Sequence, residues 1–433
     1  MRKLKIFLYV VIVTILLIIA LLIWMQRDEP LNHTSQELFS LQSAYQADLK
    51  EHPYFLALGL DAKQEIDPML LGRLRYHQYW AHYFIEPWSE WGENNRLELN
   101  IAKKFKGSSI DEDTQKLLQN LTKNRAKGVD LEILKSNQTQ LNSSFEQNQY
   151  LIQRYVNFIQ QKHYHDLSLP ANSALLDYAN MINLHYLYIS KLAIDRNDDL
   201  LKSYIDRLMM MYAETTSLIY KMVLNRMIDS SVTLLHFLAN EQNTPFNVMP
   251  MTDQQLSYKN VFAGELRYIE TSLPSNNHDF GNGEVIDQSA FMRLLGKSNL
   301  FFLPNMTINQ FANQYLPYIQ LSESPYLKFK QNINSVAGLE QGQQEAFKLK
   351  NFMGNILANI GSPAFVDYMV KSRLLDNKIR VFNVLHSGED WNITQLNLNE
   401  DGYEFYKTPH ELCIRSPYRK KVEWNQDSCL SIQ

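Results

Sequence analysis

The chain has 433 residues, with 42 Lys and Arg against 46 Asp and Glu, a formal net charge of −4 that argues against a dedicated nucleic-acid binder. Hydrophobic residues make up 45%, including 24 Tyr, 21 Phe and 6 Trp, which is enough to fill a large core and excludes wholesale disorder. With only 15 Gly and 14 Pro, collagen-like and turn-dense all-β architectures lack their backbone punctuation, so helices are the expectation.

Ile6 to Met25 is a run of 20 residues without a charge, long enough at about 1.5 Å per residue to cross roughly 30 Å of hydrocarbon. Arg2, Lys3 and Lys5 precede it, while Arg27, Asp28 and Glu29 follow. The positive-inside rule therefore leaves residues 1–5 in the cytoplasm, makes 6–25 a transmembrane helix and exports 26–433. The run ends in Ile23-Trp24-Met25-Gln26-Arg27 rather than in the small residues of a cleavage site, which predicts an uncleaved signal anchor with Trp24 at the outer interface. The lipid bilayer is the partner this segment names. The two cysteines, Cys413 and Cys429, fall in the last 21 residues. In an oxidising compartment they are disulfide candidates, and closing so short a loop would contribute about 3 kcal/mol; two buried thiols are the alternative.

A first exported helix is expected from a Thr34 or Ser35 cap through Leu38, Leu41, Tyr45 and Leu49. Asp67-Pro68 opens a second through Tyr76, Trp80 and Tyr83, within an N-terminal helical segment of 26–102. Residues 103–147 turn polar, with Gly107-Ser108-Ser109 and Ser136-Asn137-Gln138 interrupting short apolar patches, and read as a linker or excursion. The helical body, 148–385, is expected to hold helices at 150–161, 172–192 and 198–239. The last should bend near Tyr220 to Asn225, because about 40 residues exceed the usual length. Thr252 and Gln255 form a capping box for a helix reaching Leu273, before a loop over 275–287. Ser362-Pro363 starts another helix ending near Leu385, with Arg373 and Asp376 paired on its exposed side. From 386 to 433 the pattern shifts to period two at 391–393, 396–398, 422–424 and 429–432, which predicts a small antiparallel β element carrying both cysteines. The fold class is thus mainly α: an N-terminal transmembrane helix, a multi-helix periplasmic body and a small C-terminal antiparallel β element.

Catalytic signatures are incomplete. His410-Glu411-Leu412-Cys413-Ile414 begins like a zinc-protease helix, but Ile414 stands where the second His belongs. Gly296-Lys297-Ser298 ends like a phosphate-binding loop, with Phe291 at its first Gly position. His163 and His165 flank Tyr164, and His185 lies eight residues after Asp177. Two imidazoles and a carboxylate could hold a metal with an open position. Histidines two apart share a face only on extended chain, however, and this region reads as a helix end before Leu169-Pro170, so the competing reading is solvated or core-edge histidines. Six N-x-S/T sequons, at Asn32, Asn120, Asn137, Asn142, Asn305 and Asn392, and the Asp111-Glu112-Asp113 triplet would suit an anchored glycosyltransferase. The strand-helix alternation of a nucleotide-binding domain is not seen.

Glu323-Ser324-Pro325-Tyr326, followed by Gly338-Leu339-Glu340-Gln341, is similar to soluble lytic transglycosylases. The resemblance implies that Glu323, closing a helix, is the lone acid and base for cleaving peptidoglycan, and that Gln341 lies in a turn shaping the same groove. Lys330, Asn332, Ser335 and Pro317 depart from that family's pattern. Read from the residues, the segment is an N-cap Ser322 followed by an exposed acidic first turn. The stretches 301–309 (Phe301-Phe302-Leu303-Pro304-Asn305-Met306-Thr307-Ile308-Asn309) and 416–425 (beginning Ser416-Pro417-Tyr418-Arg419) resemble segments of uncharacterised single-anchor envelope proteins of Gram-negative bacteria. From the residues alone, Pro304-Asn305 reads as a turn and Thr307 as an N-cap for a helix holding Phe311 and Tyr315. The expectation is an inner-membrane-anchored periplasmic protein with a non-catalytic role in envelope assembly or partner binding, with no cofactor, no metal and no nucleic acid. The alternative is a peptidoglycan-cleaving enzyme centred on Glu323.

Overall fold

The computed structural model describes residues 2–43, 52–85, 104–107, 109–122, 129, 131–161, 163–167, 176–242, 245–272, 302–342, 350–360, 365–388, 390–418 and 427–432. The expected loop over 275–287, Phe291, Gly296-Lys297-Ser298, Ser362-Pro363 and the strand expected at 422–424 lie outside these residues. So do Tyr45, Leu49 and the side chains of Trp80 and Tyr83.

The chain forms α1 (Arg2–Gln26), α2 (His33–Ser43), α3 (Pro53–Leu58), α4 (Pro68–Ile85), α5 (Glu112–Leu121), α6 (Leu131–Ser136), α7 (Gln138–Gln147) and α8 (Gln149–Ile159). There follow α9 (Tyr178–Ile194), α10 (Asp198–Glu214), α11 (Leu218–Gln242), α12 (Asp253–Leu256) and α13 (Lys259–Ser272). The C-terminal part holds α14 (Pro304–Ser322), α15 (Tyr326–Gly342), α16 (Phe352–Ile360), α17 (Phe365–His386) and α18 (Ile393–Leu396). Strands β1 (Phe405–Lys407), β2 (Glu411–Ile414) and β3 (Ser428–Ser431) make one antiparallel sheet in the order β1-β2-β3. The protein is mainly α with a small C-terminal antiparallel sheet, as its composition and periodicity predict.

Helix α1 is apolar on every face, and the body leaves its hydrophobic window, of mean hydropathy 3.4, uncovered. It has the length and composition of a single-pass membrane anchor. Among the described residues the rest packs around two large cores, with a small cluster of Ala62 and Leu71 beside them. The larger gathers α3, α5 to α11, the C-terminal half of α17 and the sheet; the smaller gathers Leu38 of α2 with α13, α14, α15 and the first turns of α17. Helix α17 belongs to both: Phe365, Val366, Met369 and Val370 face the small core, and Leu375, Ile379 and Phe382 face the large one. Phe262 organises the small core, stacked on Tyr315 at 4.7 Å and edge-on to Phe365 at 4.8 Å, the offset and T-shaped geometries that ring quadrupoles favour.

Tertiary contacts override local pattern at five places. The polar stretch 103–147 is no linker where it is described: α5, α6 and α7 bury Leu117, Leu118, Leu121, Leu134 and Leu141 in the large core. The long helix after Asp198 breaks at Thr215-Thr216-Ser217, ahead of the expected bend, where Gly264 approaches the Thr216 carbonyl so closely that a Cβ would lie 2.0 Å from it. The Thr252–Gln255 capping box forms, but the helix it starts ends at Leu256. Buried Lys221 satisfies the carbonyls left at these ends. Its ammonium takes the carbonyls of Tyr212, Gln255 and Ser257 at 3.0, 3.1 and 3.1 Å, capping the chain ends that the break exposes. Arg373 and Asp376 are both buried rather than paired on an exposed face, because α17 lies between the two cores. Finally, the strands are 405–407, 411–414 and 428–431, while residues 393–396 form a helical turn capped by Asn392. The β texture was right for the region and wrong for 391–393 and 396–398.

Among the described residues five histidines are buried, and burial lowers each pKa below the ordinary 6.5: His52, His165 and His386 to about 4, His185 and His236 to about 3. A folded-state pKa below the unfolded one gives stability that is full above pH 6.5 and is lost as pH falls through that value toward the folded pKa. At pH 5 the loss is roughly 1–2 kcal/mol per histidine. Urea melts of the intact protein should therefore show a midpoint that falls steeply between pH 6.5 and 4.5, whereas a flat midpoint over that range would contradict the burial of these rings.

Candidate functional site

The most constrained polar cluster lies where α1 meets the body. Helix α14 opens with Pro304, and Leu303 at its N-cap has no side chain able to accept from the first-turn amides. Their acceptor comes from far away in sequence. The Asp28 carboxylate accepts from Asn305 N at 2.9 Å and from Met306 N at 3.0 Å, placing a negative charge at the positive end of the helix dipole. Two residues after α1 ends, the chain is thus bonded to the body.

Asn309 extends the junction by one turn. Its Nδ2 donates to Glu29 Oε1 at 2.8 Å and to the Pro30 carbonyl at 3.0 Å; its Oδ1 accepts from Asn32 N and Ser35 Oγ, each at 2.8 Å. All four hydrogen-bonding positions of one carboxamide, 3% exposed, are engaged on the segment 29–35. Asn32 Nδ2 then donates to Asn313 Oδ1 at 3.1 Å, so residues 28–32 climb alongside α14 in the same direction.

A third strand of contacts comes from the start of α16. Asn351, in the left-handed region at φ 57°, accepts from Leu303 N at 2.8 Å and bonds Thr307 Oγ1. Gly354 lets α16 come this close, since a Cβ there would lie 2.0 Å from Thr307 Oγ1. Lys350 places its ammonium 5.0 Å from the centroid of the Trp24 ring. Met25 is buried beside it. The arrangement ties the segment just after α1 to α14, whose 19 residues rise about 28 Å, and α15 packs against it.

The helix expected to start at Thr307 thus starts at Pro304. Thr307 lies in its first turn with its hydroxyl on the Leu303 carbonyl at 2.9 Å. Glu323 caps the far end of α14, is exposed and accepts from Ser257 Oγ at 2.9 Å. Ser322 is the last residue of α14 rather than an N-cap; its hydroxyl accepts from Tyr258 N at 3.0 Å. Gln341 is the penultimate residue of α15, and its side chain lies outside the described residues. One continuous helix of 17 residues, about 25 Å long, separates the backbones of Glu323 and Gln341. The structure does not bring the two together.

The histidines disperse as well. His163 is exposed, 3.1 Å from Glu214; His165 is buried with its ring 6.4 Å from that of His52. His185 is fully enclosed, and its two nitrogens bond Tyr204 Oη at 2.8 Å and Ser230 Oγ at 2.9 Å. Asp177 caps α9 by accepting from Asn180 N. Cys413 and Cys429 sit opposite each other on β2 and β3 and are joined in a disulfide. Glu411 lies near both sulfurs, but a disulfide offers no thiolate to a metal. His410-Glu411 leads into a strand, not a helix.

The chain matches no known family, no curated protein and no solved structure. The residues that matter at the junction, Asp28, Asn309, Asn351 and Lys350, escaped the sequence reading. One signal was present: a helix beginning Leu-Pro-Asn has no cap of its own and must borrow an acceptor. Asp28→Ala should remove that acceptor, cost about 1–2 kcal/mol and open the segment 27–33 to protease. Thermal melts and limited proteolysis in detergent check this; an unchanged midpoint and cleavage pattern would contradict the trans cap.

Proposed function

We propose that the chain is a bacterial inner-membrane protein with a cytoplasmic N-terminus, a retained anchor and a periplasmic body that acts as a rigid post for a protein partner in the envelope. The observation that carries this reading is the Asp28–α14 junction. Residues 28–35 are part of the folded body, so the body needs the segment that a signal peptide would leave loosely attached. A post anchored this way holds its larger core at a fixed height, which suits assembly and partner binding better than wide-ranging search.

Two further observations support the location. Basic residues Arg2, Lys3 and Lys5 flank the start of α1, and the Cys413–Cys429 disulfide fits an oxidising compartment. The non-catalytic part of the reading draws on how the buried charges are used. Lys221 holds three carbonyls, Arg154 clasps the 62–66 loop through Ala62, Lys63, Gln64 and Ile66, and Arg373 holds the carbonyls of Ser322 and Ser324. Each serves the fold. Peptidoglycan cleavage at Glu323 loses its support with Gln341 at the other end of α15.

Alkaline phosphatase fused to the C-terminus should be active in cells, and green fluorescent protein at the same position dark. The intact mass of the purified protein should include residues 1–24. The reverse reporter pattern, or a mature chain starting beyond Trp24, would overturn the proposal.

A further inference from the structure

We infer that Lys350, seated on Trp24, and Arg27 together bind the phosphates of anionic lipid head groups at the anchor exit, clamping the body flush on the bilayer. The inference rests on α1 being a retained membrane anchor. Trp24, in the last turn of α1, is 53% exposed, and an indole at that position occupies the interfacial layer between hydrocarbon and water. The Lys350 ammonium is 5.0 Å from its ring centroid. A residue 326 positions later in the chain is therefore held at the depth of the head groups.

The local charges are sorted for such a contact. Arg27 is exposed, and among the described residues neither it nor Lys350 has a carboxylate partner. The nearest acid in sequence, Asp28, turns away: both of its oxygens take amides of α14. Glu29 is exposed and accepts from Asn309 Nδ2 through Oε1. The Lys350 ammonium sits over the indole and Arg27 follows Trp24 by three residues, while the nearest acid, Asp28, is bonded to α14; the anion abundant at that depth is lipid phosphate. Asn351, next to Lys350, fixes the loop by bonding Leu303 and Thr307, so the cation is positioned by the fold and not by a free side chain alone.

The test uses the full-length chain in nanodiscs of phosphatidylcholine alone or doped with phosphatidylglycerol. It reads anionic lipid retained by native mass spectrometry and hydrogen exchange over 302–309 and 350–356. Wild type should retain phosphatidylglycerol and gain protection in its presence; Lys350→Gln and Arg27→Gln should each weaken retention about fivefold, and Lys350→Arg should keep it. Equal retention by wild type and a normally melting Lys350→Gln would overturn the inference while leaving the anchor intact. So would the same protection from inorganic phosphate in detergent, which would mark a general anion site. A chain lacking residues 1–24 would remove the anchor and this contact together.

Discussion

A helix that begins with proline after leucine has bare amides at its positive end, and burying them without an acceptor costs about 1–3 kcal/mol per group. Helix α14 solves this with a carboxylate from the other end of the chain, Asp28. Much of the architecture follows from that pairing. Because Asp28 lies two residues beyond α1, satisfying α14 fixes where the apolar helix ends; because Asn309 lies one turn further, saturating its carboxamide lays residues 29–35 along the same helix. Helix α2 then starts in register to place Leu38 in the small core. The segment after the apolar helix, which could have been a loose tether, thus shares one hydrogen-bond network with the body.

The same logic continues through the body. At the far end of α14, the Ser322 and Ser324 carbonyls are taken by Arg373, and Ser322 Oγ accepts from Tyr258. One turn along α17, Asp376 accepts from Met251 N at 2.9 Å, Arg380 Nε at 2.9 Å and Tyr403 Oη at 3.1 Å, while Tyr403 stacks on Tyr326 at 4.1 Å. The C-terminal sheet is thereby keyed to α15 and α17. Buried charges of this kind contribute little net stability when complete, but losing one partner strands the other in low dielectric. Their effect is to specify one arrangement of the two cores.

The sequence made the outline legible where a single segment decides its own structure. The charge-free run 6–25, the Thr252–Gln255 capping box, the helix ending at His386 and the closeness of Cys413 and Cys429 all follow from local pattern. It misled where a distant group decides. Nothing near Leu256 announces that Lys221 will take the carbonyls of Gln255 and Ser257, and the polarity of 103–147 hides five leucines spaced to reach a core assembled from other helices. Arg373 and Asp376 look like a surface pair only if the second core is unknown. At the candidate site, Asp28 reads as one more flanking charge, and its role appears only once α14 is known to start at Pro304. The spacing shared with lytic transglycosylases illustrates the same point: it says little about a groove when the intervening residues form one helix.

The hold of α14 on the segment after α1 can be read directly as a distance. The native cysteines are paired, so nitroxide labels can be placed only at introduced cysteines, Gln26→Cys and Gln320→Cys, in full-length protein reconstituted in bilayers. Double electron–electron resonance should return one narrow distance distribution that broadens when Asp28 and Asn309 are both replaced by Ala. A broad distribution in the otherwise unaltered chain, as a loose tether would give, would contradict a body rigidly joined to its N-terminal apolar helix.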